Sequence, residues 1–184
     1  MSVQKALNKE VFLEFSTVDP IPLEAIATTF ESAGLSSEIR VLYRHIAELV
    51  CNIYEHSSPE AYEKVNWSLS GHWDGRALVV TIKDQGQGIY KSISPLFDKP
   101  LSPLESLNLA VNRHNSPFDL VSSYRGLGLK GIIRAVAGGA IESFQIESDG
   151  YLFCCTDNSR HIKKTHKAVG TKVQLTLRFN GGVK

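Results

Sequence analysis

The stretch SSEIRVLYRHIAELVCNIYEHS, residues 36–57, carries two patterns at once. Ile39, Leu42, Ile46, Leu49 and Ile53 recur at steps of three and four residues, which puts them on one face of a helix. Glu48, Asn52 and His56 recur at steps of four and so stand nearly above one another on that helix. Asn52 and His56 flank the apolar stripe, and Glu48 lies further round toward solvent. Such a polar row is common where a helix edge borders water. It also suits a helix that faces a ligand. An amide oxygen is a neutral ligand for a hard cation such as Mg²⁺, and a carboxylate can take a proton from a nucleophile.

Outward from this helix, VFLEFS (11–16) predicts an opening strand. PLEAIATTFESAG (22–34) predicts a short helix with Pro22 early and Gly34 at its stop. KVNWSLSGHWDGRALVVTIKD (64–84) predicts a hairpin: Val65, Trp67 and Leu69 alternate on one arm, Leu78, Val80 and Ile82 on the other, with Asp74-Gly75 at the turn. DQGQGI (84–89) follows directly. The segment from Tyr90 to Arg125 is rich in Pro and Ser and reads as a functional lid or a disordered segment. It holds one clear helix start, the capping box Ser102-Pro103-Leu104-Glu105.

RGLGLKGIIRAVAGG (125–139) predicts a glycine turn entering a helix that ends at Gly138-Gly139. AIESFQIES (140–148) and YLFCCTD (151–157) predict a second hairpin around Asp149-Gly150. SRHIKKTHKAVG (159–170) reads as a basic loop, and TKVQLTLRF (171–179) as a final strand with Val173, Leu175 and Leu177 alternating. The order is strand, two helices, two strands, lid, helix, three strands. It predicts an α+β two-layer sandwich, with helices on one face of a mixed, mostly antiparallel sheet, as a single domain over residues 1–184.

Composition narrows the function. The 184 residues are 42% hydrophobic and 21% charged, as in ordinary soluble proteins. A formal net charge of +1 argues against a strong nucleic-acid binder. The start, MSVQKALNKEVF, lacks the apolar run of a signal peptide, and no stretch reaches the roughly 18 apolar residues of a membrane span. Cys51, Cys154 and Cys155 form no metal or disulfide pattern and read as reduced thiols in the cytoplasm. The six histidines are scattered, without a zinc cluster.

Two glycine turns remain. In DQGQGI, Gly86 and Gly88 allow close approach of backbone to a ligand, and Asp84 at the strand end can accept a hydrogen bond from an amino group. The plain alternative is a turn that ends a hairpin strand. In RGLGLK, Gly126 and Gly128 stand at a helix start, where free N–H groups and the helix dipole favour phosphate; a loop-to-helix junction is the alternative. Neither turn is a P-loop or a dinucleotide fingerprint.

The joint order is more specific than any single motif. E-x-x-x-N-x-x-x-H on a helix, D-x-G-x-G after a strand, a long lid, G-x-G-L into a helix, and VGTKVQLTL at the end together resemble the GHKL, or histidine kinase-like, ATPase superfamily. The resemblance runs from about Ile39 to Phe179. It implies a Bergerat-type ATP-binding fold with ATP and Mg²⁺ as cofactors and a lid at about 90–125. Asn52 then corresponds to the Mg²⁺-holding asparagine, and Asp84 to the aspartate that accepts the adenine amino group. Gly86, Gly88 and Ile89 form the first lid hinge; Gly126, Leu127, Gly128 and Leu129 form the far hinge and phosphate contact. Thr171 helps bind adenine. Lys130, in the first turn of the following helix, is placed to reach a phosphate or is a solvated surface lysine. The chain departs from the pattern at Ile53, where a small residue is usual, and at Tyr124, where the second box would begin with glycine. Phe97 and Phe118 are the candidates for the phenylalanine box of sensor kinases.

Glu48, four residues before Asn52, resembles the catalytic acid of the serine-kinase and ATP-hydrolysing branches. With about 35 residues before the motifs, neither a histidine-bearing dimerisation helix pair ahead of them nor a transducer domain after them is expected. The layout is therefore most similar to stand-alone anti-sigma-factor type serine kinases. That resemblance implies a protein partner and allows a homodimer, with no nucleic acid and no membrane. Two expectations follow: an enzyme in which Glu48 activates a serine hydroxyl or a water, or a non-catalytic module in which ATP orders the lid and gates a partner. The basic RHIKKTHK segment suits an acidic partner or a solvated loop.

Overall fold

The computed structural model describes residues 9–58, 63–112 and 127–178. Within them run β1 (Lys9–Ser16), α1 (Leu23–Ser32), α2 (Ser36–His56), β2 (Asn66–Trp73), β3 (Ala77–Asp84), α3 (Gly88–Ile93), α4 (Pro103–Asn112), α5 (Leu127–Ala137), β4 (Ser143–Ser148), β5 (Tyr151–Thr156), β6 (Arg160–Lys164) and β7 (Thr171–Arg178). The strands make one seven-stranded sheet in the order β1-β2-β3-β7-β4-β5-β6. Every pairing in it is antiparallel. The fold is thus α+β, and the expectation of a mixed sheet is corrected: β2-β3, β4-β5 and β5-β6 close as short hairpins, β2 returns beside β1 after the two helices, and β7 enters between β3 and β4 antiparallel to both.

Alternation decides which face is buried. Leu69, Ile82, Val173, Ile146 and Phe153 lie side by side across five strands, and Val80, Leu175, Phe144 and Cys155 form the next row. These residues are buried together with Ile26 and Phe30 of α1, the α2 stripe, Leu107 and Val111 of α4, and Ile132, Ile133 and Val136 of α5. The stripe on α2 comprises the five predicted residues plus Val50. Residues on the opposite strand faces, such as Glu14, Lys83 and Lys163, are left at least partly in solvent. One helical layer against one sheet face agrees with a two-layer sandwich.

The local signals act as their chemistry requires. Asp74 Oδ1 accepts the N–H groups of Arg76 (2.8 Å) and Ala77 (2.9 Å), and Gly75 takes a φ of 91°. Gly34, with φ of 70°, ends α1, and the Leu35 N–H returns to the Phe30 carbonyl at 2.9 Å. The capping box forms in full: Ser102 N–H donates to Glu105 Oε2 at 2.6 Å and Glu105 N–H to Ser102 Oγ at 3.2 Å.

Two segments differ from the sequence reading. The basic loop contains the edge strand β6, so four strands follow α5 and not three. Pairing with β5 supplies its backbone partners, half-buried Ile162 stands opposite Phe153, and exposed cations are normal on a sheet edge. The expected lid is helical from Gly88 to Leu96 and again over α4, whose Leu107 and Val111 are core residues. The remainder of the expected lid, 113–125, lies outside the described residues. Among the described residues, no helix is long and apolar enough to cross a membrane.

Candidate functional site

The sheet's buried face changes character at one end. Beyond the row of Leu69, Ile82, Val173 and Ile146, the next row is Trp67, Asp84, Thr171, Ser148 and Tyr151. Trp67 pairs with Asp84, and Ser148 pairs with both Thr171 and Tyr151. Asp84 and Thr171 follow directly on the Lys83–Lys172 pair. A single register step therefore replaces an aliphatic row by a polar one.

Asp84 is the centre of that row. The residue is 6% exposed. Oδ1 accepts the backbone N–H of Gly86 at 2.8 Å and that of Thr171 at 3.2 Å. Oδ2 has no hydrogen-bond partner among the described residues, nor has the Thr171 hydroxyl. Burial pushes the Asp84 carboxyl above its ordinary range, and the N–H groups of Gly86 and Thr171 pull in the opposite direction. A largely buried carboxyl with one oxygen fixed and no partner for the other among the described residues suits a ligand that brings an N–H donor.

The glycines around Asp84 are held close by the protein itself. A Cβ on Gly86 would collide with Ser57, 2.6 Å from its Cβ. The turn instead closes the end of α2: the Gln87 N–H donates to the Ser57 carbonyl (2.7 Å) and the Gln87 side-chain amide to the His56 carbonyl (3.0 Å). These are carbonyls that a helix end leaves without internal partners. Gly88 has a φ of 80°, and a Cβ there would lie 2.9 Å from both carboxylate oxygens of Asp149. Gly170, with a φ of 73°, presses on Asp84 from the other side, where a Cβ would lie 2.8 Å from Oδ1. The close approaches at Gly86 and Gly88 are thus to Ser57 and Asp149, a reason for both glycines that spacing alone does not reveal.

The other predicted residues fall as follows. Glu48 and Asn52 are half-buried on α2, and their side chains make no hydrogen bond or ion pair among the described residues. Asn52 stands one helical turn before His56, whose carbonyl receives the Asp84 turn. Ile89 and Leu129 pack against the core cluster. Leu127 and Gly128 supply the first backbone of α5, and Lys130 is half-buried in its first turn. α5 packs against α2, α4, β4 and β5. Gly126 and Phe118 lie outside the described residues. Phe97 lines an open cavity of about 500 Å³ beside α3 that shares Gln87 with the turn and does not include Asp84.

Sequence reasoning missed Ser148 and Gln87, and read Asp149 only as a turn residue. Ser148 is 1% exposed and bonds to the first glycine turn. Its one sequence signal is a serine at the last position of a predicted strand, before Asp-Gly. Among the described residues no group of three or more His, Cys, Asp or Glu could hold a metal ion. A protein-only metal cage is therefore not built from these side chains. A single neutral oxygen such as that of Asn52 fits Mg²⁺, which keeps few protein ligands and shares its shell with phosphate and water. Neither a scan against protein-family models nor a search of curated proteins finds a match for this chain.

Proposed function

We propose that the chain is an adenine-nucleotide-binding regulatory protein with a Bergerat-type ATP-binding fold of the histidine kinase-like kind, and that it transfers the γ-phosphoryl group of ATP to a protein hydroxyl or to water. The observation that carries this reading is Asp84: a residue only 6% exposed, held at Oδ1 by Gly86 and Thr171, with no partner for Oδ2 among the described residues. An Asx turn that merely ended β3 would account for the Gly86 bond and not for the one from Thr171, and Oδ2 is left able to accept from a ligand. The exocyclic amine of adenine supplies the missing donor. Guanine presents a carbonyl oxygen at the corresponding place, and two facing acceptors repel.

Half-buried Asn52 would hold Mg²⁺, which offsets phosphate charge when bound. Glu48, one turn earlier and free of any ion pair among the described residues, takes the proton of the attacking hydroxyl. The oxygen forms its bond to the γ-phosphorus, the bond from phosphorus to the β–γ bridging oxygen breaks, and ADP leaves with that electron pair. Positioning and electrostatics supply the acceleration, which is why a row of side chains on one rigid helix suffices.

Calorimetry with ADP, ATP and GTP tests the binding step, and γ-labelled ATP with Mg²⁺ and candidate partner proteins tests the transfer. Binding of ADP without any label release or transfer would leave a nucleotide-gated binding module that sequesters a partner. Failure to bind any adenine nucleotide would remove the proposal altogether.

A further inference from the structure

We infer that Ser148 and Asp149 form a latch that sets the Asp84 turn from behind, which makes Asp149 a positioning residue for the ligand of Asp84; the ligand-binding half of this inference rests on the nucleotide reading above. Asp149 and Gly150 make the two-residue turn between β4 and β5, with φ of 54° and 85°. Asn-Gly or Gly-Gly would serve such a turn equally well. The carboxylate is therefore not explained by the hairpin.

It is explained by α3. That helix has no side-chain cap of its own at Gln87. Instead, Asp149 Oδ2 accepts the Tyr90 N–H at 2.8 Å, and Ser148 Oγ accepts the Ile89 N–H at 3.0 Å. Two successive N–H groups at the helix start are thus met by two successive residues of a hairpin 59 positions away in the chain. The Ser148 hydroxyl has one hydrogen and two acceptors in reach, Asp149 Oδ2 at 2.8 Å and the Gly170 carbonyl at 3.3 Å. The shorter, charge-assisted bond takes it. Backbone pairing of Ser148 with Thr171, whose N–H holds Asp84, sets the same residue between α3 and the strand that carries the Asp84 contact. Gly88 completes the fit, because any Cβ there would strike the Asp149 carboxylate. The latch fixes the root of the α3–α4 segment and the turn that carries Gly86 in one contact set.

Three variants separate this from general stability. Asp149→Gly keeps the turn and deletes the acceptor. Asp149→Asn keeps both the turn and an acceptor. Ser148→Ala removes the hub. Amide hydrogen exchange is read in nucleotide-free protein, and ADP affinity by calorimetry. Asp149→Gly and Ser148→Ala are expected to speed exchange at Ile89 and Tyr90 about tenfold, leave Val80 and Leu175 protected, and weaken ADP binding about three- to tenfold. Asp149→Asn is expected to recover most of both. Unchanged exchange at Ile89 and Tyr90 in Asp149→Gly and Ser148→Ala overturns the latch. Faster exchange with wild-type ADP affinity overturns the positioning role. A wild-type protein that binds no ADP removes that role together with the nucleotide reading, while exchange still decides whether the latch exists.

Discussion

Thr171 donates its backbone N–H to Asp84 Oδ1 at 3.2 Å across a separation of 87 residues. The bond forms because β7 enters the sheet beside β3 in a register that brings the start of one strand against the end of the other. The same register sets Gly170 against Asp84 with no room for a side chain. Site and sheet are thus one construction, and most tests of function must be read beside a test of stability.

Asp84→Asn keeps the size and one acceptor but offers an amide where adenine needs an acceptor. ADP affinity is expected to fall about ten- to a hundredfold, the cost of losing a charged hydrogen bond. Calorimetry checks this, and wild-type affinity in the variant would remove Asp84 from the site.

The same substitution is expected to raise the stability of the ligand-free protein. Burial raises the Asp84 carboxyl above its ordinary 3.8, so the folded state holds this proton to a higher pH than the unfolded chain does. That preference stabilises the fold fully below the unfolded value and is lost as pH rises through the folded value. The Tm difference between Asp84→Asn and wild type should therefore be smallest in acid and grow toward neutral pH. About 2–4 °C is expected for each kcal/mol in a chain of this size. A difference that is flat with pH would mean that the charge of Asp84 costs the fold nothing.

The glycines should separate by position. Gly170→Ala forces a Cβ onto the Asp84 backbone at a φ of 73° and is expected to cost about 2–5 kcal/mol. Gly86→Ala meets Ser57 and is expected to cost about 1–3 kcal/mol. Gly131→Ala, within α5 and with nothing within 4 Å of the added Cβ, is expected to gain about 0.5–1 kcal/mol. Denaturant melts of the three variants check the ranking.

Glu48 and Asn52 should separate chemistry from binding. Glu48→Gln is expected to bind ATP at near wild-type strength and to lose a hundred- to ten-thousandfold in turnover, the usual contribution of a positioned general base. Asn52→Ala is expected to lose Mg²⁺-dependent affinity and rate together. Full turnover in Glu48→Gln would return Glu48 to the status of a helix-edge residue and favour the nucleotide-gated binding module.

Much of the architecture was legible because it rests on local chemistry. The three- and four-residue spacing of α2, the alternation in β2, β3 and β7, the turns at Asp74 and Asp149, and the capping box at Ser102 each depend on residues within a few positions of one another. β6 was not legible, since RHIKK has neither alternation nor an apolar face and becomes a strand only when β5 offers its backbone. α3 was not legible either: six residues with no cap of their own hold a helical start because Ser148 and Asp149 meet their N–H groups. At the site, Asp84 and the glycines stood out as motifs, while their reasons did not. Those reasons are the Ser57 backbone, the Asp149 carboxylate and the Thr171 N–H, brought together by strand register and hairpin reach. Spacing along a chain determines what a segment can become; which distant groups will meet its free N–H groups and carboxyl oxygens is decided only when the sheet closes.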